Sequence, residues 1–431
     1  MMGTGHHWAD VESAAVEGEV EGMDFDDTAD EAAFRAEART FLSQNAPPRT
    51  GDTATRLLRH DPDPAGAAEH VRRCRAWQHT LHANGWAGIT WPREHGGRGG
   101  TGVEQAIFDA EQAMFDVSTG VFAVGIGMVG PTLIAHGTEE QKDRYLQPLL
   151  RGDEIWCQLF SEPGAGSDLA GLSTRAVLDG DEWVVDGQKV WTSGAQHSAM
   201  AILLARTDSS VPKHAGITYF VVDMATPGIE VRPLRQINGA VHFNEVFLSG
   251  VRIPSVNAVG EVGDGWRVAR TTLSNERGLI GGGAAAAAGF PDVVALARRA
   301  GRSDDPVARQ RLAALFVRTE VLRYLGLRSR TAASRGRPPG PESSVLKLAY
   351  SRHAALTGDL VVDLQGPEGA LFGGSALDGG FWQQQFLGQW AVRIGGGTDQ
   401  IQGNVIGERV LGLPAEGRAD RGVAFRDLPK A

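Results

Sequence analysis

Apolar residues recur at helical spacing through the first third of the chain. Thr28 and Glu31 form a capping-box pattern, and Phe34, Ala38, Phe41 and Leu42 follow at i, i+4, i+7 and i+8. The spacing predicts an amphipathic helix that ends at Pro47-Pro48. Further helical runs are predicted over 66–84, 103–116, 119–136 and 139–150, which makes 24–150 a helical domain. From 151 to 260 the pattern shortens to β-type runs, at 201–205, 218–222, 228–234 and 242–248. Ahead of these, Asp179-Gly180 and Asp186-Gly187 flank Val- and Trp-rich runs. They predict tight hairpin turns in a β-meander, with a Gly-rich loop at one edge and Trp191-Thr192-Ser193 at another. Helical periodicity returns from Gly263 and runs to Glu408, broken at 335–341. Residues 1–23 are acidic, Gly-rich and aperiodic, and read as a flexible tail. No internal repeat is present. The expected fold is mostly α with a central β domain: 1–23 tail, 24–150 helical domain, 151–260 β domain and 261–431 helical bundle.

The length of 431 residues exceeds what one hydrophobic core serves, in keeping with several subdomains. A hydrophobic content of 42% and a charged content of 22% are ordinary for a soluble globular protein. The net charge of −10 argues against nucleic acid as the main partner. Cys74 and Cys157 are too few for a disulfide framework, so a reducing cytoplasm is expected. No run of 18 apolar residues occurs, and Met1 to Asp10 lack the apolar core of a signal peptide. Membrane insertion is therefore not expected. His6-His7 in the tail is weak evidence for metal, and no metal site is expected.

Two Gly-rich stretches invite opposite readings. Gly97-Arg98-Gly99-Gly100-Thr101-Gly102 fits G-x-G-x-x-G, yet Trp91-Pro92-Arg93-Glu94-His95 before it is no buried strand. A dinucleotide fingerprint must close such a strand, so these glycines read as a structural loop. Gly164, Ala165, Gly166 and Ser167 instead make a loop almost without side chains, where a ligand can lie against bare backbone N–H groups. Ser161 and Ser167 add hydroxyls.

The block Ser161-Glu162-Pro163-Gly164-Ala165-Gly166-Ser167-Asp168, followed by Trp191-Thr192-Ser193, resembles the acyl-CoA dehydrogenase family. The helical, β, helical order is also that family's, so the resemblance covers nearly everything after the tail. It implies that FAD lies along this segment. Gln158, Phe160, Ser161, Gly166, Ser167, Trp191, Thr192 and Ser193 are then its contacts, with the Trp against the flavin ring.

Trp266, Ala269, Leu273, Glu276 and Ile280 are spaced 3, 4, 3, 4 and share one helix face, which puts a carboxylate on an apolar stripe. Burial would raise the pKa of Glu276 and make it a usable base; an ion pair with an arginine of a neighbouring helix is the structural alternative. The resemblance bears on this choice. Most of the family carries its base just before a C-terminal Gly-Thr pair, and here Gly396 stands there, in Ile394-Gly395-Gly396-Gly397-Thr398. A minority, the isovaleryl-CoA and long-chain types, place it in a Leu-x-x-Glu-Arg helix, which Leu273-Ser274-Asn275-Glu276-Arg277 matches. The resemblance thus implies Glu276 as α-proton base, Arg277 beside it, and the Gly396 N–H as a donor to the thioester oxygen.

By position, the resemblance also implies that Thr398 and Gln400 meet the adenosine half of FAD. Gln365 and Gly369 would reach FAD across a subunit boundary, and Arg298 and Gln310 would meet the pyrophosphate, although the family's spacing is broken around 300–305. Arginine clusters on helices also serve as solvated or paired surface. The implied activity is α,β-desaturation of an acyl-CoA, with electrons passed to an electron-transferring flavoprotein, in a homotetramer or dimer. The glycine at 396 leaves open a non-catalytic FAD-binding subunit completed by a paralogous partner. A flavin monooxygenase or oxidase on the same scaffold also stays open. A Ser-His-Asp hydrolase is disfavoured, since no G-x-S-x-G elbow is present. Which acyl group is taken is not legible.

Overall fold

The structure, a computed structural model, describes residues 27–49, 64–282, 289–334, 340–341, 343–417 and 420–429. The tail over 1–23 with His6-His7, most of the 335–341 break and the run 283–288 lie outside the described residues.

Among the described residues the first layer holds α1 (Ala29–Asn45), α2 (Pro64–Ala83), α3 (Gly102–Gln112), α4 (Gly130–His136) and α5 (Glu139–Arg151). The capping box at Thr28 and Glu31 is made, and the residues that α1 buries are Phe34, Ala38, Phe41 and Leu42. They pack into an aromatic cluster in which Trp86 stacks on Phe41 and Phe108, with centroids 5.3 and 4.9 Å apart.

The helical run expected over 119–136 is formed as an irregular helix, continuous over 120–136. A 3₁₀ turn (Gly120–Phe122) and a π-helical turn (Gly125–Val129) precede α4. Two features accompany the irregular turn: Trp91 Nε1 donates to Ile126 O at 3.1 Å, and Pro131, five residues on, has no N–H to offer that carbonyl. A Cβ on Gly130 would lie 1.9 Å from the same indole. The 97–102 glycines wrap this tryptophan from the other side, where a Cβ on Gly97 would lie 2.3 Å from Trp91 O. Thr101 then caps α3. The G-x-G-x-x-G match is thus a packing loop.

The β layer comprises β1 (Trp156–Leu159), β2 (Arg175–Asp179), β3 (Glu182–Ser193), β4 (Met200–Arg206), β5 (Ile217–Asp223), β6 (Ile229–Leu234), β7 (Phe243–Pro254) and β8 (Ala258–Val259). The sheet order is β6-β7-β3-β2-β4-β5-β8, and β1 pairs parallel with β4. Asp179-Gly180 makes the expected hairpin turn between β2 and β3, with Gly180 at φ +67°. Asp186-Gly187 does not turn the chain. It lies inside the twelve-residue β3, at a register shift against β7 between Val185 and Gly187. Glycine is needed there because a Cβ would sit 2.3 Å from Thr174 Oγ1, so the dipeptide marks a β-bulge.

The second helical layer holds α6 (Gly265–Gly282), α7 (Phe290–Arg299), α8 (Pro306–Ser334), α9 (Ser343–Leu364), α10 (Phe381–Ile394) and α11 (Asp399–Val405). Leu296, Leu315, Val361, Phe381 and Trp382 are in its core. Phe316, Val317, Val321 and Tyr324 of α8 are exposed. The three layers meet at three buried hydroxyls. Thr272 Oγ1 of α6 lies 2.9 Å from Thr132 Oγ1 of α4 and 3.1 Å from Tyr219 Oη of β5. No helix among the described residues is long and apolar enough to cross a membrane.

Glu111 of α3 is buried between Arg35 and Arg39 of α1, at 3.1 and 2.9 Å. The hydrogen bond from Arg39 is the main cause of a Glu111 carboxyl held below its ordinary 4.5; burial opposes it and Arg35 adds to it. A carboxyl with a depressed folded-state pKa adds stability that is fully present above its unfolded value and lost as pH falls through the folded one. Thermal unfolding followed against pH should show wild type losing midpoint below pH 4.5, the ordinary value of Glu111. Glu111→Gln should start lower near neutrality and fall less steeply over the same window.

Candidate functional site

The segment after β1 and the end of β3 are adjacent, rather than at separate edges of the sheet. Val190 N donates to Ser161 O at 2.9 Å. Lys189, fully buried, reaches back with its ammonium to Glu162 Oε1 at 2.8 Å and Phe160 O at 3.0 Å. The second Glu162 oxygen accepts from Ser173 N at 2.6 Å, and the first also accepts from Thr174 N at 2.9 Å. One carboxylate thus joins the entry of the Gly-rich loop, the segment beyond it and β3. Burial draws the Lys189 ammonium down to about 8, against the pull of Glu162. Burial also works against the Glu162 carboxylate, yet Lys189 and the hydrogen bonds from Thr174 and Ser173 hold it below the usual range.

The register slips again between Lys189 and Thr192, and Trp191 takes φ +61°. A non-glycine residue in the left-handed region costs roughly 1–2 kcal/mol. Trp191 is also 57% exposed, held edge-on by Phe243 at 5.7 Å. Beside it Thr192 is buried, and its Oγ1 has no hydrogen-bond partner among the described residues. Asn244 fixes this strand end by donating to Thr192 O at 3.1 Å. Opposite, Gly166 and Ser167 are exposed, and a Cβ on Gly164 or Gly166 would meet nothing within 4 Å. These glycines are not demanded by packing within the chain; they leave backbone open. A bulge, a strained exposed indole, an orphaned hydroxyl and an uncovered Gly loop suit a flat, polar-edged ring, and so fit a flavin.

The other sequence-derived residues fall into separate groups. Gln158 is half-buried in β1, and Phe160 turns its ring inward onto Tyr219 at 5.9 Å, which leaves its backbone as the part near the loop. Ser161 is half-buried and Ser193 is exposed. Glu276 is half-buried on α6, one turn beyond the fully buried Thr272. The buried line of α6 runs through Gly265, Val268, Ala269 and Thr272, with Trp266 and Leu273 only partly covered. The stripe is therefore rotated from the one drawn through Trp266, Ala269, Leu273 and Glu276. Arg277 follows in the helix, and the side chains of Arg277 and Ile280 lie outside the described set.

Gly396 has φ +63° and Gly397 φ +92°. Gln402 Nε2 donates to Gly396 O at 3.0 Å, and the buried Lys347 of α9 to Gly397 O at 2.7 Å. Thr398 caps α11 by accepting from Ile401 N, and Gln400 is exposed in the first turn. Gln365 is buried: its amide donates to Val361 O at 2.8 Å, and its oxygen accepts from Gln383 at 3.2 Å. A Cβ on Gly369 would lie 2.5 Å from Val362 O, so that glycine serves close packing on α9. Arg298 and Gln310 are exposed, on α7 and α8.

The residues that organise the site without having been singled out are Lys189, Glu162 as an anchor, Asn244, Lys347 and Gln402. Lys189 carries a usable signal. A lysine two residues before Trp191, on a strand that alternates buried positions, requires a nearby acid, and Glu162 is the carboxylate that faces it.

Family models for the acyl-CoA dehydrogenase N-terminal, middle and C-terminal domains match residues 28–153, 157–251 and 263–411. The acyl-CoA dehydrogenase IpdE1 of Mycobacterium tuberculosis is 39% identical over 387 residues, covering 89% of this chain and 98% of its own. Among solved structures, the Tcur3481–Tcur3483 steroid ACAD superposes with a TM-score of 0.77 at 31% identity, over 91% of this chain and all of that one. The ChsE4–ChsE5 complex of Mycobacterium tuberculosis gives 0.72 at 29% identity, again over 91% of this chain and all of the other.

Removing one partner of a buried ion pair leaves an uncompensated charge, at a cost of roughly 3–5 kcal/mol. Lys189→Met and Glu162→Gln should each lose stability of that order in urea unfolding. The double variant should recover part of the loss. Additive losses would mean that the two side chains are not coupled.

Proposed function

The chain belongs to the acyl-CoA dehydrogenase family, and we propose that it binds FAD and desaturates the α,β-bond of a bulky acyl-CoA, with Glu276 as the base. The observation that carries the flavin part is the β3 end, where the exposed Trp191 at φ +61° adjoins the buried Thr192 Oγ1, which has no partner among the described residues. Gln158, Phe160, Ser161, Gly166, Ser167, Thr192 and Ser193 would hold the cofactor through backbone groups and hydroxyls, with Trp191 against its ring. Thr398, Gln400, Gln365, Gly369, Arg298 and Gln310 would hold its far half, with Gln365 and Gly369 acting across a subunit boundary. FAD, when bound, supplies the hydride acceptor.

The protein's own part is proton and charge handling. Glu276 would take the α-proton of the thioester; its half-buried position gives it access to substrate with part of its surroundings dry. Gly396 would offer its N–H to the thioester oxygen, so that negative charge building on that oxygen meets a fixed donor. Gln402 and Lys347 pin the carbonyls of Gly396 and Gly397 and so fix that turn. Arg277 would stand beside the base. The reduced enzyme would pass its electrons to an electron-transferring flavoprotein in the cytoplasm. A polycyclic acyl group is favoured by the likeness to the steroid ACAD.

One observation favours a second reading, that a paralogous partner chain completes the enzyme. Two of the similar solved structures are two-component assemblies by their names, Tcur3481–Tcur3483 and ChsE4–ChsE5. A homotetramer is the alternative assembly.

Anaerobic titration of the flavin-loaded protein with short-chain, long-chain and steroid acyl-CoAs tests the proposal. Wild type should bleach the flavin band with the steroid thioesters, and Glu276→Gln should slow bleaching by about 10²- to 10⁴-fold. Equal bleaching by both proteins would move the base elsewhere. A flavin-loaded wild type that no thioester bleaches would favour the partner-chain reading.

A further inference from the structure

The Gly-rich loop 163–168 is anchored at its entry by Lys189 and at its exit by a second lysine. Lys213 Nζ lies 2.7 Å from Asp168 Oδ2 and 2.6 Å from Asp420 Oδ2, with only 8% of its side chain exposed. Asp420 comes after all the helices of the second layer, yet its segment lies on the β domain. Phe425 N donates to Val211 O at 2.9 Å, Arg426 N donates to Ser209 O at 3.0 Å, and Ala424 bridges Pro212.

The same segment backs a second cation. Arg206 is buried and donates to Ala170 O at 2.7 Å, Leu172 O at 3.1 Å and Lys213 O at 3.0 Å. Its guanidinium sits 3.5 Å from the centroid of the Phe425 ring. Residues 170 and 172 are the stretch that the Gly-rich loop runs into, so both cations grip the loop's exit. Asp168 is well exposed and by itself a weak partner for Lys213, and Asp420 supplies the more sheltered carboxylate. The Phe425 face keeps water from the guanidinium, which strengthens its three bonds to carbonyls.

We propose that residues 420–429 form a strap that sets the position of the Gly-rich loop and so the FAD affinity of this chain. Asp420 acts through Lys213, and Phe425 acts through Arg206. The affinity half rests on the flavin reading above; the positioning half does not. Asp420, Phe425, Lys213 and Arg206 are positioning residues, and no contact between them and the cofactor is required.

The test uses the full chain with Asp420→Asn, Phe425→Ala, Lys213→Met and the Asp420→Asn/Lys213→Met pair. Amide hydrogen exchange over 161–174 is read in flavin-free protein, and FAD affinity by quenching of flavin fluorescence. Asp420→Asn and Phe425→Ala should each speed exchange in that segment and leave α1 and α3 unchanged. Each should weaken FAD binding by about tenfold. The Asp420→Asn effect should vanish in the Lys213→Met background. Unchanged exchange in both single variants, or an Asp420→Asn effect that persists without Lys213, would overturn the strap. A wild type that binds no FAD would overturn the flavin reading and with it the affinity half, while the exchange data still decide whether the strap positions the loop.

Discussion

A single buried ion pair holds the two halves of the candidate site together. Glu162 opens a loop whose own backbone bonds close only the turn to Ala165, and Lys189 lies on the strand that this loop entry meets through Val190 and Ser161. The carboxylate also takes the N–H groups of Ser173 and Thr174, so the chain leaves the loop at the same oxygens at which it enters. Because the pair is dry, neither partner can be lost without stranding a charge. That gives a loop of glycines, whose own conformational preferences are weak, a fixed place against the bulge at Trp191.

Much of this was legible from residue order, and the rest was hidden for physical reasons. The first helix was readable because its cap and buried face are both local: Thr28 with Glu31, then Phe34 to Leu42 at helical spacing. The turn at Asp179-Gly180 was readable for the same reason. Asp186-Gly187 carries an identical dipeptide and means something else, since its glycine answers to Thr174, just ahead of β2. The helix expected across 119–136 forms, but the π-helical turn within it was hidden, since the carbonyl of Ile126 is taken by an indole thirty-five residues away. Of the site, the Gly loop and the Trp-Thr-Ser block stand out in sequence because they depart from ordinary composition. Lys189, Lys347 and Gln402 do not, because their partners are set by the fold.

The bundle half of the site is held through its backbone carbonyls and through one carboxylate, that of Asp399. Gly396 and Gly397 both lie in the left-handed region, and Gln402 and Lys347 take their oxygens. Asp399 links this turn to Ser351 of α9 at 2.5 Å and to Arg393 at 3.2 Å. A glycine pair here lets the turn be tight without a side chain filling it. The apolar residues exposed along α8, Phe316, Val317, Val321 and Tyr324, are of the size and kind that subunit interfaces bury.

The hydroxyl junction among the three layers has a direction. Thr132 Oγ1 spends its one hydrogen on Met128 O at 2.7 Å, so in its contact with Thr272 it must be the acceptor. Thr272 therefore donates to Thr132, and Tyr219 must donate to Thr272. The three rotors have one consistent orientation, pointing from the sheet through α6 to the π-helical turn. A wire with a single polarity cannot be read backwards: the carbonyl of Met128 at its far end decides which way every proton in it faces.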